Sequence, residues 1–212
     1  MSDIPYDIVA RRAKAELRKR LRGLRNTHPE SAIAARSQRI VARLEELAVM
    51  KTAKCIALFW PIEARREVDL RPLDRALRER GVRVAYPAIA PPAQENEPPS
   101  MTSRYSAEAQ LEERGLGFRD PSPETEEATM LDLVVVPALA ADARGHRLGY
   151  GAGYYDRTLP RYAPPATTAI VVFDFQLLAE VPILDGDVAC DFIVTDTRTL
   201  AASPADAGRP KP

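Results

Sequence analysis

"LDLVVVPALAADARGHRLGYGAGYYDRTLPRY", residues 131–162, sets a strand, a glycine loop and a helix start side by side. The run from Leu133 to Leu139 is apolar almost throughout and rich in valine, as a strand covered by helices on both faces should be. "AADARGH" then reads as the loop leaving the strand, and "YYDRTLPRY" as the beginning of a helix. Between them, Gly149, Gly151 and Gly153 occupy every second position. In an open α/β sheet, ligands gather beyond the carboxyl ends of the strands, and a glycine loop at a helix N-terminus suits phosphate. Alternate glycines let successive amides approach one oxyanion, and Arg147 can add a bidentate cationic contact. The G-x-G-x-G spacing lacks the third-glycine offset of a dinucleotide fold, and no G-K-S/T follows. Taken alone, the loop reads equally as a phosphate cradle or as a tight turn.

Working outward, "CIALFW", "VRVAYP", "TTAIVVF" and "DFIVTD" are further short apolar runs with strand character, and "DLRPLDRALRERG" is a helix with an Asp cap and a terminal Gly. The first two runs and that helix make a βαβ unit. The pattern predicts an α/β fold, with a mainly parallel sheet covered by helices on both faces. Two helices precede it. Leu17, Leu21 and Leu24 mark the buried side of the first, with Gly23 weakening its end. The second starts at a capping-box-like Thr27 and Glu30 with Pro29 in the first turn, and carries Ile33, Ile40, Val41, Leu44 and Leu47 as its stripe. Together they predict an N-terminal helical hairpin. The four prolines of "PPAQENEPP" predict an extended excursion between the halves, a candidate flap over 88–106. Residues 1–200 are expected to form one domain and 201–212, rich in Ala, Pro and Gly, a disordered tail.

Composition narrows the partners. Thirty basic and thirty acidic residues cancel, so no global field favours nucleic acid or an anionic membrane. The longest apolar runs fall well short of the roughly 20 residues of a membrane span, and no secretory leader opens the chain. Two cysteines, Cys55 and Cys190, read as reduced and packed. A cytoplasmic protein with a small-molecule partner is expected, as a monomer or weak dimer.

The full string "VVVPALAADARGHRLGYGAGYYDR" resembles the signature of the 5-formyltetrahydrofolate cyclo-ligase family, also called methenyltetrahydrofolate synthetase: a strand ending V-P, then Asp, Gly and R-L/I-G-x-G-x-G-Y-Y-D. The resemblance extends through "KAELR" near the N-terminus, the "EVD" segment, the strand ending "YP", the "GLGFRDP" turn and "FDFQLLAEVPILDGDVACDFIVTD". It implies an ATP-dependent ligase that converts 5-formyltetrahydrofolate, with or without a polyglutamate tail, to 5,10-methenyltetrahydrofolate, ADP and phosphate. ATP is then a co-substrate and Mg²⁺ its metal. The formyl oxygen takes the γ-phosphoryl group, nitrogen 10 attacks the activated carbon, and phosphate leaves. Such chemistry asks for alignment and charge neutralisation rather than covalent catalysis.

The resemblance also assigns roles. Lys14 and Arg18 match ATP contacts, with Lys14 and Arg147 as the catalytic cations; the residues themselves also allow a solvated basic face, since Arg11, Arg12, Lys19, Arg20, Arg22 and Arg25 crowd the same helix. Arg147, Gly149, Tyr150, Gly151, Ala152, Gly153 and Tyr154 match the phosphate loop. Asp156 and Asp187 match the Mg²⁺ carboxylates, Asp156 on the nucleotide side as well, although either could cap a helix or turn. Trp60, Tyr154 and Tyr155 are folate-side aromatics by this reading, and Trp60 and Tyr155 read equally as core. Glu67 matches the carboxylate that receives the polar edge of the pterin. The segment "WPIEARREVD" is about two residues longer than the family pattern, which leaves Glu63 as a competitor, and Asp120–Pro121 replaces a more usual Glu-Pro turn. His146 flanks the loop and could touch phosphate; His28 looks like a helix-start residue. Two other classes stay open: a relative that binds folate or nucleotide without this turnover, and an unrelated nucleotide-binding module such as a nicotinamide-dependent oxidoreductase, which the glycine spacing disfavours.

Overall fold

The computed structural model describes residues 5–90, 100–113 and 119–203. In chain order come α1 (Tyr6–Thr27), α2 (Glu30–Glu45), β1 (Cys55–Ala57), α3 (Arg71–Glu79), β2 (Arg83–Ala90), β3 (Ser100–Tyr105), β4 (Leu111–Glu113) and β5 (Arg119–Pro121). Then follow β6 (Leu133–Pro137), β7 (Ala140–Asp142), β8 (Arg147–Leu148), α4 (Tyr154–Thr158), β9 (Thr167–Val171), β10 (Leu177–Leu178), β11 (Phe192–Val194) and β12 (Thr199–Ala201). The main sheet has the order β12-β11-β9-β6-β1-β2-β3. Its inner pairings are parallel, and the edge strands β12 and β3 join antiparallel.

Side-chain alternation along these strands builds two cores, one on each face. Ile56, Val84, Tyr86, Leu133, Val135, Ala169, Val171 and Val194 face one way; Ala57, Ala85, Val134, Val136, Ile170 and Ile193 face the other. Period two sends neighbours to opposite faces, and both faces are covered, which is why the runs are apolar throughout. On the first face α2 brings Ile33, Ile40 and Leu44, and α3 brings Leu73 and Leu77. The second face is closed by Leu159, Tyr162 and Ala166, which follow the short α4. A third cluster seats Leu21 of α1 against Leu139, Ala140, Leu148 and Val181, beside the small sheet β10-β7-β8.

Several expectations change in detail. The buried positions of α1 are Ala10, Lys14, Leu21 and Arg25, while Leu24 of the expected stripe is 38% exposed. The helix runs past Gly23 to Thr27. The expected capping box is absent: Pro29 precedes the first residue of α2, and the Thr27 hydroxyl donates to the Leu24 carbonyl at the end of α1. "AADARGH" is a hairpin between β7 and β8 rather than a simple loop. Within the expected excursion, residues 100–105 form β3, and Asp120–Pro121 belongs to β5 rather than a turn. The proline run 91–99 lies outside the described residues, as do residues 114–118, which include the "GLGF" of "GLGFRDP", and residues 204–212 of the expected tail. The boundary drawn at 200 falls inside β12, and Ala202 and Ser203 still donate backbone bonds to Asp191 and Ala143. Among the described residues, no helix is long and apolar enough to cross a membrane.

From β1 the chain moves to β2 on one side, and it returns through β6 on the other side of β1. The loops leaving the carboxyl ends of β1 and β6 therefore diverge, and such a reversal point opens a crevice for a ligand.

Candidate active site

A cavity of about 680 Å³ occupies that crevice. Its floor is made at the ends of three parallel strands: Phe59 and Trp60 after β1, Pro87 and Ile89 at the end of β2, and Pro137 at the end of β6. Helix α1 forms one wall with Arg11, Lys14 and Arg18, whose spacing of three and four places them on one face. The glycine loop 149–153 with Tyr154, Tyr155 and Asp156 forms another, and Leu184 and Asp187 close the side. Six basic and four acidic side chains line the space, a balance that favours an anionic ligand.

Lys14 is 4% exposed although α1 runs along the surface, and it is bonded to the Asp187 carboxylate. Asp187 also accepts the Leu184 amide at 2.7 Å, so it closes a turn and pairs with lysine at once. Arg147 is 7% exposed. It donates to Asp156 Oδ1 at 2.5 Å, to the Val188 carbonyl at 2.5 Å and to Cys190 Sγ at 3.6 Å. Asp156 is within α4, whose N-cap is Gly153, and its carboxylate accepts from Arg147 and from the Val188 amide at 3.2 Å. Arg18 Nε donates to the Gly149 carbonyl at 2.9 Å, which fixes the helix to the loop. Burial, and then the Arg22 charge, pull the Arg18 guanidinium down from its ordinary value; it remains a cation.

Two of the loop glycines are needed by the backbone itself. Gly151 has φ of +111° and Gly153 +67°, conformations that side chains strain. A Cβ on Gly149 would meet no atom within 4 Å and would stand in open space on the cavity wall, leaving room for a group to approach the loop. Arg157 Nη1 closes the turn by donating to the Ala152 carbonyl at 3.0 Å.

Beyond the loop stands a carboxylate among aromatic rings. The chain after β1 makes a short 3₁₀ turn at Glu63–Arg65 and passes through Arg66 at φ 49°, which turns Glu67 inward. Glu67 is 7% exposed, accepts the Ile62 amide at 2.9 Å and receives the Tyr150 hydroxyl. Glu63 points away from the cavity: its side chain is 75% exposed and paired with Arg71 at 2.7 Å. Trp60, partly buried, packs edge-on to Tyr86 with centroids 6.0 Å apart. Tyr155 lines the cavity from the second core, and burial, helped by the Glu67 charge, pushes its phenol up.

Every residue proposed from the sequence for the nucleotide, the metal and the folate lines this one cavity: Lys14, Arg18, Trp60, Glu67, Arg147, Gly149 to Asp156, and Asp187. His146 is elsewhere, with Nδ1 3.4 Å from Asp142, and His28 follows the end of α1, stacked on Phe175 at 4.2 Å. Arg11, Arg65, Arg119, Asp120 and Met101 also line the cavity and were not proposed as site residues: Arg11 stands in the crowded basic face of α1, Arg119 and Asp120 in the "GLGFRDP" stretch, and Arg65 and Met101 reach the cavity from elements whose placement is tertiary.

Among the described residues, no group of three or more His, Cys, Asp or Glu side chains is placed to hold a metal ion. Asp156 and Asp187 nonetheless offer hard carboxylate oxygens in one cavity, which suits a cation that takes one or two carboxylates and completes its shell with phosphate and water.

The model of the 5-formyltetrahydrofolate cyclo-ligase family matches residues 10–196. The chain is 32% identical over 194 residues to a 5-formyltetrahydrofolate cyclo-ligase of Mycolicibacterium smegmatis, covering 90% of this chain and 97% of that one. It is 27% identical over 165 residues to the 5-formyltetrahydrofolate cyclo-ligase of Escherichia coli, covering 76% and 88%. An NMR structure of Aquifex aeolicus 5,10-methenyltetrahydrofolate synthetase superimposes with a TM-score of 0.74 at 28% identity, over 94% of this chain and 96% of that one.

Proposed function

This chain belongs to the 5-formyltetrahydrofolate cyclo-ligase family, and from that premise we infer that it converts 5-formyltetrahydrofolate and ATP to 5,10-methenyltetrahydrofolate, ADP and phosphate in the crevice between β1 and β6. One observation carries the reading: a single cavity joins a cation-ringed glycine loop to a buried carboxylate flanked by aromatic rings. A triphosphate and a flat heterocycle with a polar edge thus find their complements side by side.

An amide oxygen is a weak nucleophile, so the site must align it with the γ-phosphorus and neutralise charge on the phosphoryl oxygens. The formyl oxygen bonds to that phosphorus as the bond to the β-phosphate bridging oxygen breaks, releasing ADP. Nitrogen 10 then attacks the formyl carbon and loses its proton, and the carbon–oxygen bond breaks to release phosphate. Lys14, Arg18 and Arg147 supply the cationic surface, and the bare wall at Gly149 lets phosphate approach backbone amides. Both catalytic cations are already ion-paired, Lys14 with Asp187 and Arg147 with Asp156. With nucleotide bound, Lys14 and Arg147 would turn to phosphate, freeing the Asp187 and Asp156 carboxylates that would hold the metal. Mg²⁺, held by Asp156 and Asp187, would add neutralising charge on the phosphates. Glu67 accepts the N–H edge of the pterin, and Trp60, Tyr154 and Tyr155 pack its rings. The free thiols Cys55 and Cys190 fit a reducing compartment, the cytoplasm.

Mixing purified protein with 5-formyltetrahydrofolate and MgATP should produce the methenyl chromophore. Tight folate binding with no chromophore would instead favour a relative that binds without turnover.

A further inference from the structure

Tyr150 belongs to the glycine loop by its backbone, yet its side chain leaves the loop. The hydroxyl donates to Glu67 Oε1 and accepts a bond from Arg25 Nη2 at 2.8 Å. The ring is surrounded by guanidinium groups, Arg65 at 4.8 Å from its centroid and Arg22 and Arg25 both at 5.9 Å. Arg25, on α1, is only 3% exposed and Glu67 7%, so a buried cation and a buried carboxylate face each other through one phenol. Buried charges of opposite sign need such pairing. Partners on both sides leave the hydroxyl one orientation, proton toward Glu67 and lone pair toward Arg25. Burial, together with the Glu67 charge, pushes the phenol up, which keeps it a protonated donor. The other Glu67 oxygen is held by the Ile62 amide at 2.9 Å. Two donors from separate segments therefore fix the plane of the carboxylate and leave its remaining lone pairs for a ligand.

We propose that Tyr150 is a positioning residue for the folate site: with Arg25 behind it, its hydroxyl sets the Glu67 carboxylate to receive two adjacent N–H donors of the pterin, while only its backbone serves the nucleotide. The proposal rests on Glu67 receiving the pterin. It predicts a split that a purely structural loop residue would not produce, because loss of the hydroxyl affects one substrate and not the other.

The test is calorimetric titration of wild type, Tyr150→Phe, Glu67→Gln and the double variant. Each is titrated with 5-formyltetrahydrofolate in the absence of nucleotide and, separately, with MgADP. Tyr150→Phe should weaken folate binding roughly five- to thirtyfold, as loss of a hydrogen bond to a charged group does, and leave MgADP within about twofold. The double variant should bind folate no more weakly than Glu67→Gln alone, since the hydroxyl acts through that carboxylate. Arg25→Gln, which leaves the loop untouched, should show the same split to a smaller degree and serves if Tyr150→Phe does not fold. Folate binding lost in Glu67→Gln but retained in Tyr150→Phe overturns the inference and spares the Glu67 assignment. Equal loss of folate and MgADP in Tyr150→Phe and in Arg25→Gln overturns it in favour of a structural role. Unchanged folate binding in Glu67→Gln removes the assignment and the inference together.

Discussion

Replacing Arg147 by alanine should damage rate and stability through different bonds, and the two losses can be separated. In the free protein the guanidinium holds Asp156 and the Val188 carbonyl, each at 2.5 Å, with its side chain 4% exposed and that of Asp156 28% exposed. Breaking a fully buried pair costs about 3–5 kcal/mol. The partial exposure of Asp156 lets water replace some of that, so about 1–3 kcal/mol is expected, a melting temperature lower by a few degrees for a chain of this size. In the proposed reaction the same group would stabilise charge on the transferring phosphoryl. Losing such a contact costs about 2–4 kcal/mol, roughly 30- to 1,000-fold in kcat/KM for ATP. Arg147→Lys keeps the charge but not the fork and should fall between. Steady-state kinetics and thermal melts read both effects, and added guanidinium should restore part of the rate in Arg147→Ala without restoring the melting temperature. A lower melting temperature with unchanged ATP kinetics would leave Arg147 as a strut for Asp156 with no part in phosphoryl transfer.

Asp156→Asn and Asp187→Asn should each raise the Mg²⁺ concentration for half-maximal rate several-fold; a normal Mg²⁺ requirement would leave Asp156 as the partner of Arg147, or Asp187 as the cap of its turn. Glu63→Gln should leave folate affinity within about twofold of wild type, since this carboxylate is exposed and paired with Arg71, whereas Glu67→Gln should weaken it by more than tenfold. Burial raises the Asp174 carboxyl, but hydrogen bonds from Arg198, Thr197 and Thr195 outweigh it and hold the group below the usual carboxylate value. A depressed folded value means stability that is present above the unfolded value of about 4 and is lost as the pH falls through the folded one. Asp174→Asn should therefore melt below wild type at pH 7, with the gap closing as the pH drops below about 4. A gap that is constant with pH would show that the carboxylate charge contributes nothing there.

The strands were legible because they are covered on both faces: Val134 and Val135 pack into opposite cores, so neither position tolerates a polar residue and the run stands out. The edge strand β3 was not, because its burial alternates and "SMTSRY" carries no apolar run. On α1, Leu17 and Leu21 face the core as their spacing predicts, and only Leu24 departs. Leucine spacing placed Leu24 inward, whereas Arg25 is the buried residue, since its counter-charge is Glu67, 42 positions away and reached through Tyr150. For the same reason the choice between Glu63 and Glu67 was open in the sequence: the left-handed turn at Arg66, which sends one carboxylate inward, has no glycine to announce it. The glycine loop was the most legible part of the site, because positive φ at Gly151 and Gly153 is a local demand.

If ring closure proceeds by phosphorylation of the formyl oxygen in this cavity, that oxygen must leave in the phosphate, and its position after the reaction reports the route. With 5-formyltetrahydrofolate carrying ¹⁸O in the formyl group, one turnover with MgATP should yield methenyl product, ADP and phosphate in equal amounts, with the label in the phosphate. Methenyl product accompanied by unlabelled phosphate, or ADP formed without methenyl product, would exclude a phosphorylated formyl oxygen as the route to ring closure.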